Sequence, residues 1–367
     1  MLSCFTELTN QLMNRRSFVQ HAAMGGISVA LPAFPEYLTS ELAELRLGVA
    51  EASYMMRAYR NIPSAAFPPF KDAMDMLEHC AELGFGGVQV SIGKWDNDYA
   101  KNMRKRNDKL GLFLEGSVRL PKDDADLARF ETEIAAAAQI GIDVIRTVCL
   151  SGRRYETFKT AEAFLEFRNN SEAALRRAEP IVRKYKVKLA VENHKDWTIA
   201  EFKEILNSLG SEWVGITLDT GNNISLLEDP MEVVRELAPY TFSVHLKDMA
   251  VAPYEEGFLL SEVNLGMGYL DIAEMVRVIR SARPEVRFNL EMITRDPLQI
   301  PCLTKSYWET RPGVSAVALA KYLQNIRNQK PTDLPVISGL PEDEQLRQEV
   351  ENNRTCLNLA RTQYGFA

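Results

Sequence analysis

Eight short apolar runs, each followed by a stretch with helical spacing, constrain what this chain can fold into more than any other feature. The runs are Leu45–Ala50, Val88–Ile92, Leu112–Val118, Val144–Leu150, Leu189–Asn193, Gly215–Asp219, Phe242–Leu246 and Phe288–Met292. Runs rich in Val, Ile and Leu that alternate with helical patterns are the mark of βα units around a parallel sheet. Between the first two, Phe70, Ala73, Met74, Leu77, Cys80 and Ala81 fall at three- and four-residue steps on one helical face. Gly84, Gly111, Gly141 and Gly210 stand where such helices should stop. Eight repeats over about 250 residues fit a closed (β/α)8 TIM barrel better than an open doubly wound sheet. No GxGxxG follows the first run, which weakens a dinucleotide-binding alternative. The barrel is expected over residues 45–328. Beyond it, Pro331, Pro335 and Pro341 mark a linker, and Leu346, Val350, Leu357 and Ala360 form an apolar stripe on one final helix of a C-terminal extension, 330–367. That stripe must cover either its own barrel or a second subunit, which leaves a homo-oligomer through the extension open.

The chain has 367 residues, 46 % of them hydrophobic and 25 % charged, enough apolar material for a large core and too much for disorder. A net charge of −7 argues against a nucleic-acid partner, because phosphate attraction cannot be the main source of binding. Five cysteines include no CxxC pair, so neither a disulfide framework nor a thiolate zinc site is indicated. Residues 1–34 have the order of an export signal. Arg15-Arg16 with Phe18 precedes an uncharged, weakly apolar stretch from Ala22 to Phe34, resembling a twin-arginine signal, with Met13 as the more natural start. A run of about 13 residues falls short of the ~20 needed to span a bilayer, so export to the periplasm is expected and stable membrane insertion is not.

In a parallel barrel the chemistry sits at the C-terminal ends of the strands. Four consecutive runs end in metal-ligand types: Leu-Ala-Val-Glu at Glu192, Ile-Thr-Leu-Asp at Asp219, Phe-Ser-Val-His at His245 and Phe-Asn-Leu-Glu at Glu291. Spaced 27, 26 and 46 residues apart, they are one βα unit apart each time, the last unit enlarged by a loop over 249–270. All four then point into one mouth, and three carboxylates buried together require a cation. Three oxygen donors and one imidazole suit one divalent ion of the Mn²⁺, Mg²⁺ or Co²⁺ class, with Zn²⁺ possible. Alternation puts His194 and Lys247 on the inward side as candidate substrate contacts, with Glu115 and Arg146 as further ones inside strands three and four. Trp95, Trp197 and Trp308 fall in loops on the same face, where aromatic rings suit the C–H faces of sugars. The long segment 296–313 has the length of a lid.

Glu192-Asn193-His194, Asp219-Thr220-Gly221-Asn222, His245-Leu246-Lys247-Asp248 and Leu290-Glu291, in that order, resemble the sugar phosphate isomerase/epimerase family, the xylose isomerase-like TIM barrel group. The resemblance implies a divalent metal held by Glu192, Asp219, His245 and Glu291, with a substrate oxygen completing the shell. It also implies proton transfer by Glu192 and Glu291 through a metal-stabilised enediolate, giving isomerisation or epimerisation of a sugar or keto-sugar. Ketose 3-epimerases of the family carry a histidine and an arginine at the positions of Asn222 and Val251 here. That departure keeps two alternatives in view: a lyase eliminating from a 3-keto-glycoside or inosose-like substrate, and a non-catalytic sugar-binding module. Asn222 then joins the substrate-contact candidates.

Overall fold

The computed structural model describes residues 44–93, 95–311, 315–329 and 333–367. The export-signal reading over 1–34 lies outside them. Eight parallel strands close into a barrel: β1 (Leu47–Ala50), β2 (Gly87–Ser91), β3 (Phe113–Ser117), β4 (Val144–Thr147), β5 (Lys188–Glu192), β6 (Val214–Asp219), β7 (Thr241–Leu246) and, after an insertion, β10 (Arg287–Leu290). The seam is β1, which pairs with β10 on one side and β2 on the other. The expected (β/α)8 architecture is therefore observed, with each strand inside its apolar run or starting one residue before it.

Helices cover the outside because their apolar faces have only the barrel to bury against. The helix over Ala73–Leu83 buries Met76, Leu77 and Cys80, starts at Asp72, whose carboxylate accepts from the amides of Met74 and Asp75, and ends at a left-handed Gly84. Gly111 and Gly210 close the helices Asn97–Leu110 and Ile199–Leu209 in the same way.

Two segments differ from the sequence reading. Residues 249–270 are not simply a loop: β8 (Asp248–Tyr254) and β9 (Gly257–Val263) form an antiparallel hairpin, extended by β11 (Leu298–Ile300). The hairpin turns at Gly257 (φ +154°), where a Cβ would strike the Ile300 carbonyl oxygen, so only glycine lets β11 approach. The Asp248 carboxylate accepts from the amides of Gly266 and Gly268 at 2.8 and 2.9 Å and pins the far end. Of the 296–313 segment, read as a lid, the described part, 296–311, is instead tied down: it supplies β11, Tyr307 donates to the Ser225 carbonyl at 2.7 Å, and Arg311 donates to Leu226.

The final helix, Glu342–Gln363, lies on its own barrel. Leu346, Val350, Leu357 and Ala360 are buried, Asn353 Nδ2 donates to the Ser53 carbonyl at 2.8 Å, and Ala367 N donates to the Leu45 carbonyl at 2.7 Å. The stripe expected as a possible subunit contact is thus taken up within the chain. Among the described residues no helix is long and apolar enough to cross a membrane.

Candidate metal centre

Register carries the site. Asp219 at the end of β6 sits opposite His245 of β7, Asn289 of β10 sits on the other side of His245, and Glu291 N donates to the Leu246 carbonyl at 3.0 Å just past β10. Glu192, Asp219, His245 and Glu291 are all buried, and each offers a donor atom within 4.8 Å of the others.

Each donor is oriented by a neighbour. Asp219 Oδ1 accepts from the amides of Gly221 and Asn222 at 2.9 and 2.7 Å, which leaves Oδ2 facing the Lys247 Nζ ammonium at 2.8 Å. Glu192 Oε2 accepts from Arg146 Nε at 2.7 Å and Oε1 from Asn222 Nδ2 at 3.0 Å. Lys247 Nζ donates to Glu291 Oε2. His245 Nε2 meets Gln89 Oε1 at 2.7 Å, and the amide orientation of Gln89 is fixed because its nitrogen donates to Glu115 Oε2 at 3.0 Å. Nε2 therefore carries the proton, and the lone pair of Nδ1 faces inward.

That lone pair looks at carboxylate oxygens: Glu291 Oε1 at 3.1 Å, Glu192 Oε2 at 3.5 Å and Asp219 Oδ2 at 4.0 Å. Burial opposes charge on the imidazole, yet Glu291 and Glu192 outweigh it and raise its pKa, so a proton competes with a metal cation for the same Nδ1 lone pair. Burial pushes Asp219 up to about 6, Lys247 restraining it, while Arg146 and His245 overcome burial at Glu192 and bring it down to about 2. A point ringed by three carboxylates and an orphaned imidazole lone pair has the donor chemistry of a hard divalent ion site.

The structure sorts the other sequence candidates. Lys247, Asn222 and Arg146 join the cluster. His194 lies beside it with its Nδ1 unpartnered; burial, then Lys195, lowers its pKa to about 3, so it is neutral. Trp95 lines a cleft of about 360 Å³ with Glu51, Ser91 and Tyr99 past the ends of β1 and β2. Trp308 is half-buried, its Nε1 donating to the Cys302 carbonyl at 2.9 Å. Two readings are corrected. Glu115 lies inside the barrel, accepting from Ser243 Oγ at 2.7 Å and Asn289 Nδ2 at 2.9 Å, and is linked to His245 through Gln89. Trp197 is 1 % exposed and stacks on Phe167 at 5.1 Å, so it packs a loop and offers no face to a substrate. Gln89, Lys195, Glu262 and Arg295 were not read from the sequence. Gln89 could have been, as the inward-parity polar residue of β2. Lys195 Nζ meets Asn222 Oδ1 at 2.5 Å; burial, then Lys247, pulls its pKa down to about 8.

The chain is 28 % identical over 248 residues to the 3-oxo-isoapionate decarboxylase of Pectobacterium atrosepticum, spanning 64 % of this chain and 81 % of that one. Among solved structures, a D-psicose 3-epimerase matches at a TM-score of 0.56 and 16 % identity, covering 88 % of this chain and all of the other. A 3-keto-D-glucoside 4-epimerase from E. coli matches at 0.51 and 15 %, covering 77 % and 99 %. Identities this low show the shared barrel alone. A family model described as Xylose isomerase-like TIM barrel matches residues 77–317. With barrel, strand-end donors and that match together, the chain belongs to the xylose isomerase-like TIM barrel family.

Proposed function

We propose that the protein is a divalent-metal enzyme that removes and returns a proton at the carbon beside the carbonyl of an oxo-sugar, an isomerase or epimerase. The observation that carries this reading is the convergence of the His245 lone pair with three buried carboxylates, two of them glutamates able to flank one carbon. Glu192, Asp219, His245 and Glu291 would hold the ion, Mn²⁺, Mg²⁺ or Co²⁺ by donor type, with Zn²⁺ also accommodated. When bound, it supplies Lewis-acid polarisation of the substrate carbonyl. The rest falls to the chain. Glu291 has Oε2 on Lys247 while Oε1 faces the His245 lone pair, so Oε1 is the atom placed to take the proton. Glu192, held on both oxygens by Arg146 and Asn222, is the partner that returns it. Lys247 Nζ is placed to donate to an oxygen that gains charge, and neutral His194 to contact a hydroxyl.

A second reading, a lyase, is favoured by the tethering of Glu192 on both oxygens, which suits a reaction needing one proton transfer, and by the decarboxylase among the relatives. There the bond from the carbon beside the carbonyl to a carboxylate breaks, its electron pair passes into the carbonyl, CO₂ leaves, and a proton is delivered to the carbon.

The test is the chain purified without chelator, its metal content measured, then given a panel of oxo-sugars and oxo-sugar acids in D₂O. About one divalent ion per chain and deuterium at the carbon beside the carbonyl, lost in Glu291→Gln that still holds metal, are expected. Release of CO₂, or of water or an aglycone from a 3-keto-glycoside or inosose-like substrate, decides for a lyase. No exchange and no such release after reloading with Mn²⁺ would mean a sugar-binding module. We propose as well that the chain is exported to the periplasm: Arg15→Lys with Arg16→Lys should abolish periplasmic yield, and unchanged yield would refute it.

A further inference from the structure

The basic groups at the mouth do not balance one for one. Arg146 lies on Glu192, Arg295 on Glu262 at 2.5 Å, and Lys247 on Asp219 and Glu291. Lys195 is the exception. Three residues past the end of β5 and 4 % exposed, its ammonium meets Asn222 Oδ1 at 2.5 Å and, among the described residues, forms no ion pair within 4.0 Å. The same Asn222 oxygen is 3.5 Å from Lys247 Nζ, so two ammonium groups share one neutral acceptor. Like charges brought together out of water repel strongly, and a lysine stem is flexible enough to carry its head to solvent when nothing holds it inward. This one stays in.

Charge among the groups that face one another around the donor set gives the same answer. Four acids, Glu192, Asp219, Glu291 and Glu262, meet four basic groups, Arg146, Lys195, Lys247 and Arg295, and cancel. A divalent ion on the donor set leaves two positive charges in excess. One matches the charge that develops on a carbonyl oxygen during the reaction, and the other is uncompensated by a neutral ketose. A phosphate is matched best by a bidentate arginine fork, and both arginines here are already committed to carboxylates.

We propose that Lys195, seated on Asn222 beside Lys247, binds a carboxylate of the substrate, so that the substrate class is an oxo-sugar acid and not a neutral ketose or a sugar phosphate. The inference rests on the reading of this centre as a metal-loaded oxo-sugar site and holds for either reaction outcome.

Its test is binding, read by calorimetry on the Mn²⁺-loaded full chain with three probes: gluconate, its neutral counterpart glucitol, and inorganic phosphate. Gluconate should bind at least about ten-fold more tightly than glucitol, the discrimination expected of one desolvated charge pair. Lys195→Met should remove that preference and Lys195→Arg should keep part of it, the preference being read as the ratio of gluconate to glucitol affinity within each variant at full metal occupancy. A preference that survives in Lys195→Met assigns the carboxylate to the metal and overturns the proposal, as does phosphate binding more tightly than gluconate. The wild-type comparison stands even if the Met variant fails to fold: equal affinity for gluconate and glucitol overturns the Lys195 assignment while leaving the sugar site intact. Binding of neither probe overturns the sugar-site reading and the assignment with it.

Discussion

Gln89 holds His245 Nε2 at 2.7 Å while its own nitrogen donates to Glu115, so a residue that touches no candidate donor except the imidazole decides which imidazole nitrogen is free. Gln89→Leu should therefore lower metal affinity by about 10–100-fold, the usual effect of losing the partner of a ligating histidine. A metal titration checks this, with the denaturation midpoint of the metal-free variant as the control for folding; unchanged affinity would show that the tautomer is set some other way. The four donors were legible in the sequence because a strand end is a fixed phase: once the apolar runs are found, the residue finishing each one points into the mouth. Gln89 was less legible because its partner lies 156 residues away. Lys195 was missed because its direction is set by the loop after β5, where strand parity no longer applies. Trp197 was misplaced for the same reason, since membership of a loop does not say which side of the loop the ring occupies.

Among the elements, the final helix shows how a polar contact can make docking depend on pH. Glu349, fully buried, accepts from the amides of Met56 at 2.6 Å and Arg57 at 3.3 Å, and faces the guanidinium groups of Arg57 and Arg60. Burial raises its pKa from 4.5 to about 7, against those amides and arginines. A raised folded-state value means the group's contribution to stability is complete below the unfolded value and is lost as pH rises through about 7. Glu349→Gln, which cannot titrate, should thus gain on the wild type between pH 4.5 and 8, by up to ~3 kcal/mol. Denaturant unfolding at several pH values reads the difference, and a constant gap would count against burial as the cause. The apolar stripe of this helix was visible in its spacing, but its target was not, because Leu346 and Val350 suit any apolar surface. The β8–β9 hairpin escaped notice because its strands interrupt a barrel rhythm that the eye completes without them.

For the whole molecule, the donors come from β5, β6, β7 and β10, and their supports from β2, β3 and β4, so the centre exists only when nearly the full circle of strands is in place. A ligand that binds the folded state alone stabilises it, by about 2.7 kcal/mol at a free concentration a hundred times its dissociation constant. Mn²⁺ should accordingly raise the thermal midpoint of the wild type in a concentration-dependent way and leave Asp219→Asn much less affected; equal shifts in both would place the ion elsewhere. The seam adds a matter of timing. Strands β5 to β7 follow one another in the chain and bring Glu192, Asp219 and His245 together by local pairing, but Gln89 reaches His245 from β2, at the far edge of the sheet that runs from β2 to β7, and the two meet across the barrel when β1 and β10 close it. An unclosed chain therefore presents carboxylates without an oriented imidazole. Cation capture keeps time with closure, and in a refolding experiment metal uptake would trail the appearance of strand structure as the last event of assembly.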